Sequence, residues 1–161
     1  MTGGAALRQN RCNGSPGAWV SMIECGSASG VLRVDNDDIG TASFRGLMVP
    51  ANFLAMGVLA MRAGVGLGAR GLLYRNDQAA ICCDPVSMTM AYPMLAPALR
   101  TLPVAFVVNA GQATLYEHVV KRAGAAGLIR RAFYSETEAR EWLAAMVQML
   151  DHNRGWWATR R

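Results

Sequence analysis

The chain has 161 residues, of which 52% are apolar and 17% charged, and its formal net charge is +5. This length suits one domain with a substantial hydrophobic core, and this composition excludes an intrinsically disordered protein. The basic side chains, 15 Arg and one Lys, are scattered along the chain and form no cluster. We therefore expect no binding to nucleic acid, which needs basic groups gathered on one surface.

The cysteines provide no motif for metal binding or redox chemistry. Zinc sites and thioredoxin-like sites typically use paired CxxC spacings, which this chain lacks. We predict reduced thiols, no metal and no cofactor. The four cysteines are Cys12, Cys25, Cys82 and Cys83.

The sequence also lacks signals for secretion or membrane insertion. Residues 1–17 contain no apolar core of a signal peptide. The most apolar stretch, 46–61, is shorter than the ~20 residues of a membrane span and contains Pro50. We expect a cytoplasmic protein without a membrane span, and a membrane-associated protein that uses the tail with Trp156 and Trp157 is an alternative.

The N-terminal third is predicted to contain a tail and a hairpin. Residues 1–17 are rich in Gly, Asn, Ser and Pro without periodicity, which is typical of a flexible tail. The folded domain is expected over 18–152 and opens with an antiparallel pair of strands at 19–25 and 31–34. Residues 153–161 are basic and aromatic and are predicted to form a C-terminal tail.

Helices and strands alternate in the rest of the chain. The strand at 103–109 contains five consecutive apolar residues, which favours a parallel strand buried on both faces. Ser135 and Glu138 form a capping box that opens the last helix. The fold class is therefore predicted as α/β, with a small mixed, mostly parallel sheet, an N-terminal hairpin and about four helices. The predicted elements are a helix at 50–61, a strand at 71–74, a helical segment at 86–100 interrupted by Pro93 and Pro97, the strand at 103–109, a helix at 112–123, a strand at 129–134 and a helix from 135.

Two motifs suggest catalysis or cofactor binding but lack the required context. Gly66, Gly68 and Gly71 spell GxGxxG, which binds dinucleotides only when it follows a strand and opens a helix. Here the order is helix, glycines, strand, so a helix end and a tight turn are predicted. His118 and His152 are far apart in sequence and have no neighbouring nucleophile, so no catalytic residue is predicted.

The segment Cys82-Cys83-Asp84-Pro85 precedes a predicted helix. Asp is a favoured N-cap residue and Pro a favoured first helical residue, so we predict a strand end followed by a capped helix. A reactive thiol at this helix start is the alternative.

The order of these elements resembles the STAS domain, the fold of anti-sigma factor antagonists. The residues that carry the resemblance are Gly68-Ala-Arg-Gly-Leu-Leu-Tyr74, Leu102-Pro-Val-Ala-Phe-Val-Val108, Arg122-Ala-Gly124 and Tyr134-Ser-Glu-Thr-Glu-Ala-Arg-Glu-Trp-Leu143. The resemblance covers about residues 19–150. It implies a non-catalytic, bacterial regulatory module that binds a protein partner and in some members a small ligand.

Typical STAS domains carry an Asp-Ser pair at a helix start, and a partner kinase phosphorylates that Ser. The matching segment here is Asp84-Pro85-Val86-Ser87, with Pro at the position of the Ser. The resemblance therefore implies a binding site at Asp84 and Ser87 with the neighbouring Asn76 and Asp77. Ser87 is the candidate phosphosite, since a phosphate in a first helical turn is favourably placed.

A small-molecule-binding protein or enzyme is the alternative function. Open α/β sheets place ligands at the carboxyl ends of their strands, where Asn76, Asn109 and Gln112 are expected. The partner, a homodimer and the role of Trp156 and Trp157 are left open.

Overall fold

The computed structural model describes residues 6–11, 19–95 and 97–158, which contain eight strands and five helices. Two short 3-10 turns occur at Tyr92–Met94 and Ala110–Gln112. The strands are β1 (Ala6–Arg11), β2 (Trp19–Cys25), β3 (Ala28–Val34), β4 (Ile39–Met48), β5 (Gly71–Arg75), β6 (Ala79–Ile81), β7 (Val104–Val107) and β8 (Arg130–Phe133). The helices are α1 (Pro50–Gly66), α2 (Pro85–Thr89), α3 (Pro97–Arg100), α4 (Ala113–Ala125) and α5 (Glu136–Ala158).

The strands form one mixed sheet in the order β1-β2-β3-β4-β5-β7-β8, with β6 paired to the end of β4. The strands from β1 to β4 pair antiparallel, and the remaining pairs are parallel. Short turns join β2, β3 and β4, whereas helices join the parallel strands, as crossover connections require. The predicted α/β class, mixed sheet and N-terminal hairpin are confirmed.

Helices cover both faces of the parallel half of the sheet. Leu72 of β5 belongs to the larger core with residues of α1 and α4, and Leu73 to the smaller core with residues of α5. All four residues of β7 are buried. The strand predicted at 103–109 is therefore present over Val104–Val107, as a parallel strand covered on both faces.

The antiparallel half buries one face only. Ile23 and Leu32 are fully buried in the larger core, and α1 packs against their strands. Met22 and Val31 lie opposite each other in β2 and β3, and both are exposed. This alternation follows from the period of two residues along a strand.

Helix α1 is longer than predicted and ends in the glycine segment. It continues to Gly66, and Gly68 adopts a φ of +90°, which glycine tolerates without strain. Strand β5 begins at Gly71. The predicted order of helix, glycines and strand is confirmed.

Four elements differ from the prediction, one of them strand β6, which pairs with β4 and was not predicted. Strand β1 lies within the segment predicted as a flexible tail, and it pairs along its length with β2. Strand β4 is not predicted, because its Gly, Ala and Ser residues have little preference for strands. Helix α5 continues to Ala158 and so includes much of the predicted tail at 153–161. The side chains of Trp156 and Trp157 lie outside the described ones.

Candidate functional site

The first turn of α2 contains the site implied by the STAS resemblance. The Asp84 carboxylate accepts hydrogen bonds from the backbone amides of Val86 (2.9 Å) and Ser87 (3.0 Å). Pro85 is the first residue of the helix. The predicted N-cap and proline start are confirmed. The hydrogen bonds from Ser87 and Val86 hold the pKa of the Asp84 carboxyl below its usual value.

The Ser87 hydroxyl also takes part in this cap. It donates to the second oxygen of Asp84 over 2.5 Å. A phosphate on this hydroxyl would remove the donor and place a second negative charge beside the carboxylate. Phosphorylation of Ser87 stays a prediction, and this geometry predicts that it would open the cap.

The two neighbouring cysteines differ in exposure. Cys82 is exposed, whereas Cys83 is half-buried and donates to the carbonyl oxygen of Met48 over 3.2 Å. Burial, with the nearby Cys82 and Asp84, raises the pKa of the Cys83 thiol to about 11. This raised pKa does not favour a nucleophile at Cys83, since reactive cysteines have lowered pKa values.

Four other predicted site residues come together at the carboxyl ends of β5 and β7. The Gln112 amide donates to the carbonyl oxygens of Asn76 and Ala79, each over 2.9 Å, and its oxygen accepts from the Asn109 backbone amide over 3.1 Å. The Asn109 side chain donates to the carbonyl oxygen of Asp77 over 3.0 Å. Most polar groups here thus bind one another and hold the turn between β5 and β6 against the start of α4.

Asn76 is the most deeply buried member of this group, with 1% of its surface exposed. Its side-chain nitrogen donates to the Tyr116 hydroxyl over 2.6 Å, but its side-chain oxygen has no partner. The hydrogen bonds of Asp84 and Ser87 remain within the first turn of α2 and do not join this group. The predicted site residues therefore form two separate clusters.

An apolar cavity of about 40 Å³ lies between α1, the sheet and the segment containing α2 and the first 3-10 turn. Three methionines line it, Met48, Met61 and Met88. Its polar lining includes Asn76 and the buried Arg130. This cavity is not predictable from the sequence, because its walls come from segments distant in the chain.

Other acidic and histidine side chains lie outside these clusters. Residues 35–38 contain three Asp and form a turn in which Asp37 accepts from the Ile39 amide over 3.1 Å. His118 is exposed on α4.

Within the described ranges, no three His, Cys, Asp or Glu side chains lie close enough together to hold a metal ion. None of the helices in these ranges is both long and apolar enough to cross a membrane.

Protein-family models, curated proteins and solved structures were compared with the chain, and none of them matches it.

Proposed function

We propose that this protein is a non-catalytic, STAS-like regulatory module that binds a protein partner through the surface of α2. The observation that carries the proposal is a pair of exposed apolar side chains one helical turn apart. Val86 is 55% exposed and Met90 is 62% exposed. Exposed apolar groups grouped on one surface are typical of protein interaction sites.

Two further exposed apolar side chains lie at the end of β4. Leu47 and Val49, at the end of β4, are 42% and 39% exposed. The Cys82 amide donates to the carbonyl oxygen of Met48 over 2.8 Å, so this strand end lies beside the segment that leads into α2. Eight large apolar side chains are exposed among those that the structure describes, and half of them lie in or next to α2 and the end of β4. We name Val86 and Met90 the α2 surface.

The α2 surface is held rigidly, which lowers the entropic cost of binding. Met88 and Thr89 are buried on the opposite side of the helix. The Arg122 guanidinium of α4 donates to the Thr89 hydroxyl over 2.8 Å. The Asp84 cap fixes the other end of this short helix. Val86 and Met90 are therefore presented outward on a fixed turn, ready to contact apolar groups of a partner.

The position of this surface also supports the STAS-like proposal. The resemblance places the regulatory helix start of that family at Asp84 to Ser87, the first turn of α2. Pro85 replaces the phosphorylated Ser, and Ser87 is engaged with Asp84. We therefore propose that binding here depends on apolar contact and not on a phosphate.

A cross-linker attached to Cys82 tests this proposal, because that exposed thiol adjoins the α2 surface. The variant Cys12→Ser removes the one cysteine outside the described residues, while Cys25 is buried and Cys83 half-buried. Photocross-linking in a host extract should capture one protein. Val86→Asp and Met90→Asp should reduce that capture at least tenfold. Met149→Asp, which changes an exposed apolar residue of α5, is the matched control and should not. Equal capture by all three variants would disprove the proposal.

The alternative is ligand binding at the strand ends near Asn76, Asn109 and Gln112, and it stays a prediction. The amide groups of Asn109 and Gln112 are occupied by internal hydrogen bonds, so they offer little to a ligand. Asn76 alone among them also lines the apolar cavity.

A further inference from the structure

Arg130 is a buried cation without a counter-ion. Only 8% of the residue is exposed, and it forms no salt bridge with any described Asp or Glu. Burial lowers the pKa of the Arg130 guanidinium. Tyr92 and Tyr74 act in the opposite direction and raise it. A buried charge is costly unless it is paired. Arg130 therefore lacks the partner that a buried guanidinium normally has.

The hydrogen bonds of Arg130 hold its side chain in place but do not compensate its positive charge. One terminal nitrogen donates to the carbonyl oxygens of Leu102 (2.5 Å) and Ile129 (2.9 Å). The other donates to the carbonyl oxygen of Leu99 over 3.3 Å and to the Met61 sulfur over 3.9 Å. These bonds hold the segment between α3 and β7 against the start of β8. Neutral carbonyl groups solvate a cation but leave its net charge uncompensated.

Arg130 is one of the residues that line the apolar cavity, whose walls are deformable. Met48, Met61 and Met88 provide flexible side chains that repack around ligands of different shape. At about 40 Å³ the cavity already has room for roughly three water molecules. Between α1 and the first 3-10 turn, Phe53, Leu54 and Tyr92 are only partly buried, so a ligand could enter on this side.

A second polar group lines the cavity at a distance from Arg130. Arg130 is level with Val104 and Leu72 in the sheet, whereas Asn76 follows the last residue of β5. The four residues from the level of Leu72 to Asn76 correspond to roughly 13 Å between the backbone positions of Arg130 and Asn76. The side chains of Arg130 and Asn76 shorten the distance between their polar groups. The partnerless oxygen of Asn76 is an unmet hydrogen-bond acceptor.

We propose that the cavity binds a small apolar carboxylic acid, whose carboxylate pairs with Arg130 and whose far end donates a hydrogen bond to Asn76. The carboxylate accepts from the Nε–H, the one donor of Arg130 that no described group accepts, and neutralises the buried charge. The alkyl chain contacts the methionine walls. This site is independent of the proposed partner surface, and its test needs no partner.

Calorimetric titration of the whole chain with hexanoate, 1-hexanol and 6-hydroxyhexanoate tests the proposal. Hexanoate should bind at least tenfold more tightly than hexanol, and 6-hydroxyhexanoate more tightly than hexanoate. Equal affinity for hexanoate and hexanol would overturn the role of Arg130. Equal affinity for the two carboxylates would overturn the role of Asn76.

Variants at two adjacent arginines provide the matched comparison. In Arg130→Met the preference for hexanoate over hexanol should fall to about one, and Arg130→Lys should restore part of it. Arg131→Met changes the next residue, which is exposed, and should keep the full preference. A full preference in folded Arg130→Met would overturn the proposal.

A variant that keeps Arg130 covers the case in which Arg130→Met does not fold. Gly57 of α1 lines the cavity, and a Cβ atom there meets no other atom within 4 Å. Gly57→Leu should fill the space and weaken hexanoate binding at least tenfold, whereas Gly57→Ala should change it less than threefold. Unchanged hexanoate affinity in Gly57→Leu would place the ligand elsewhere and overturn the proposal.

Discussion

Replacing Gln112 with Ala should destabilise the fold strongly, because this side chain links three backbone groups. The substitution removes two bonds to the carbonyl oxygens of Asn76 and Ala79 and one from the Asn109 amide. Gln112 is 7% exposed, so water cannot readily replace these partners. At about 0.5–1.5 kcal/mol for each bond, the expected loss is about 2–4 kcal/mol. Urea unfolding at pH 7 measures this free energy.

Gln78→Ala is the matched control for this measurement. Gln78 lies in the same turn between β5 and β6 but is exposed, so its loss should change stability by less than about 0.5 kcal/mol. If Gln112→Ala costs no more than Gln78→Ala, the network does not stabilise the fold. Its side chains would then be free to serve a ligand instead.

Gln112→Glu adds a test by pH. The introduced Glu carboxyl would be buried, and in its ionised form it would face the two carbonyl oxygens to which Gln112 now donates. Both effects disfavour the ionised form and should raise the pKa of this carboxyl. A raised pKa in the folded state means that the variant is most stable at low pH and loses stability as pH rises through that value. Its deficit relative to the wild type should therefore grow between pH 4 and pH 7. A deficit that does not change with pH would contradict this geometry.

Three further predictions concern α1, α5 and the cysteines. In urea unfolding, Gly57→Ala should stabilise the protein by about 0.5–1 kcal/mol, because the new Cβ atom meets no other atom within 4 Å. Gly64→Ala should destabilise the protein, because its Cβ atom would lie 2.8 Å from the Leu72 side chain. Equal effects of the two substitutions would refute the packing of α1. Leu143→Ala should cost about 2–5 kcal/mol by the same assay, because Leu143 is fully buried where α5 covers the sheet, and a cost near zero would mean that α5 does not pack there. Iodoacetamide at pH 8 should modify Cys82 before Cys83, whose pKa is about 11, and peptide mass spectrometry would show the opposite order if this assignment were wrong.

Elements with strong local signals were predictable from the sequence. The apolar run of β7 indicated burial on both faces, and Asp84 with Pro85 indicated the start of α2. The glycines after α1 indicated a helix end and not a cofactor loop. Each of these signals depends on residues within a few positions of one another, so no long-range contact had to be known.

Strand β4 shows why other elements were missed. Its buried positions include Ala42 and Phe44, which alternate with Thr41 and Ser43, but small residues make this pattern weak. The strand is stabilised by pairing with β3, β5 and β6, which are formed by other parts of the chain. Pairing of this kind outweighs local preference and leaves little trace in the strand's own sequence.

The cavity and Arg130 depend even more on distant contacts. An Arg at the start of a strand is normally expected in solvent. Arg130 is buried because the carbonyl groups of Leu99 and Leu102 converge on it from a segment about thirty residues earlier. The sequence contains no local signal for this convergence. The same holds for Asn76, whose hydrogen-bond partner Tyr116 belongs to α4.

The most direct test of the proposed function is the affinity of the purified captured partner for three forms of this protein. Isothermal titration calorimetry should show at least a tenfold weaker affinity for Met90→Asp than for the wild type, because the charge would be buried against apolar groups of the partner. Met149→Asp should bind like the wild type. If Met90→Asp binds as tightly as the wild type, the α2 surface does not contact the partner.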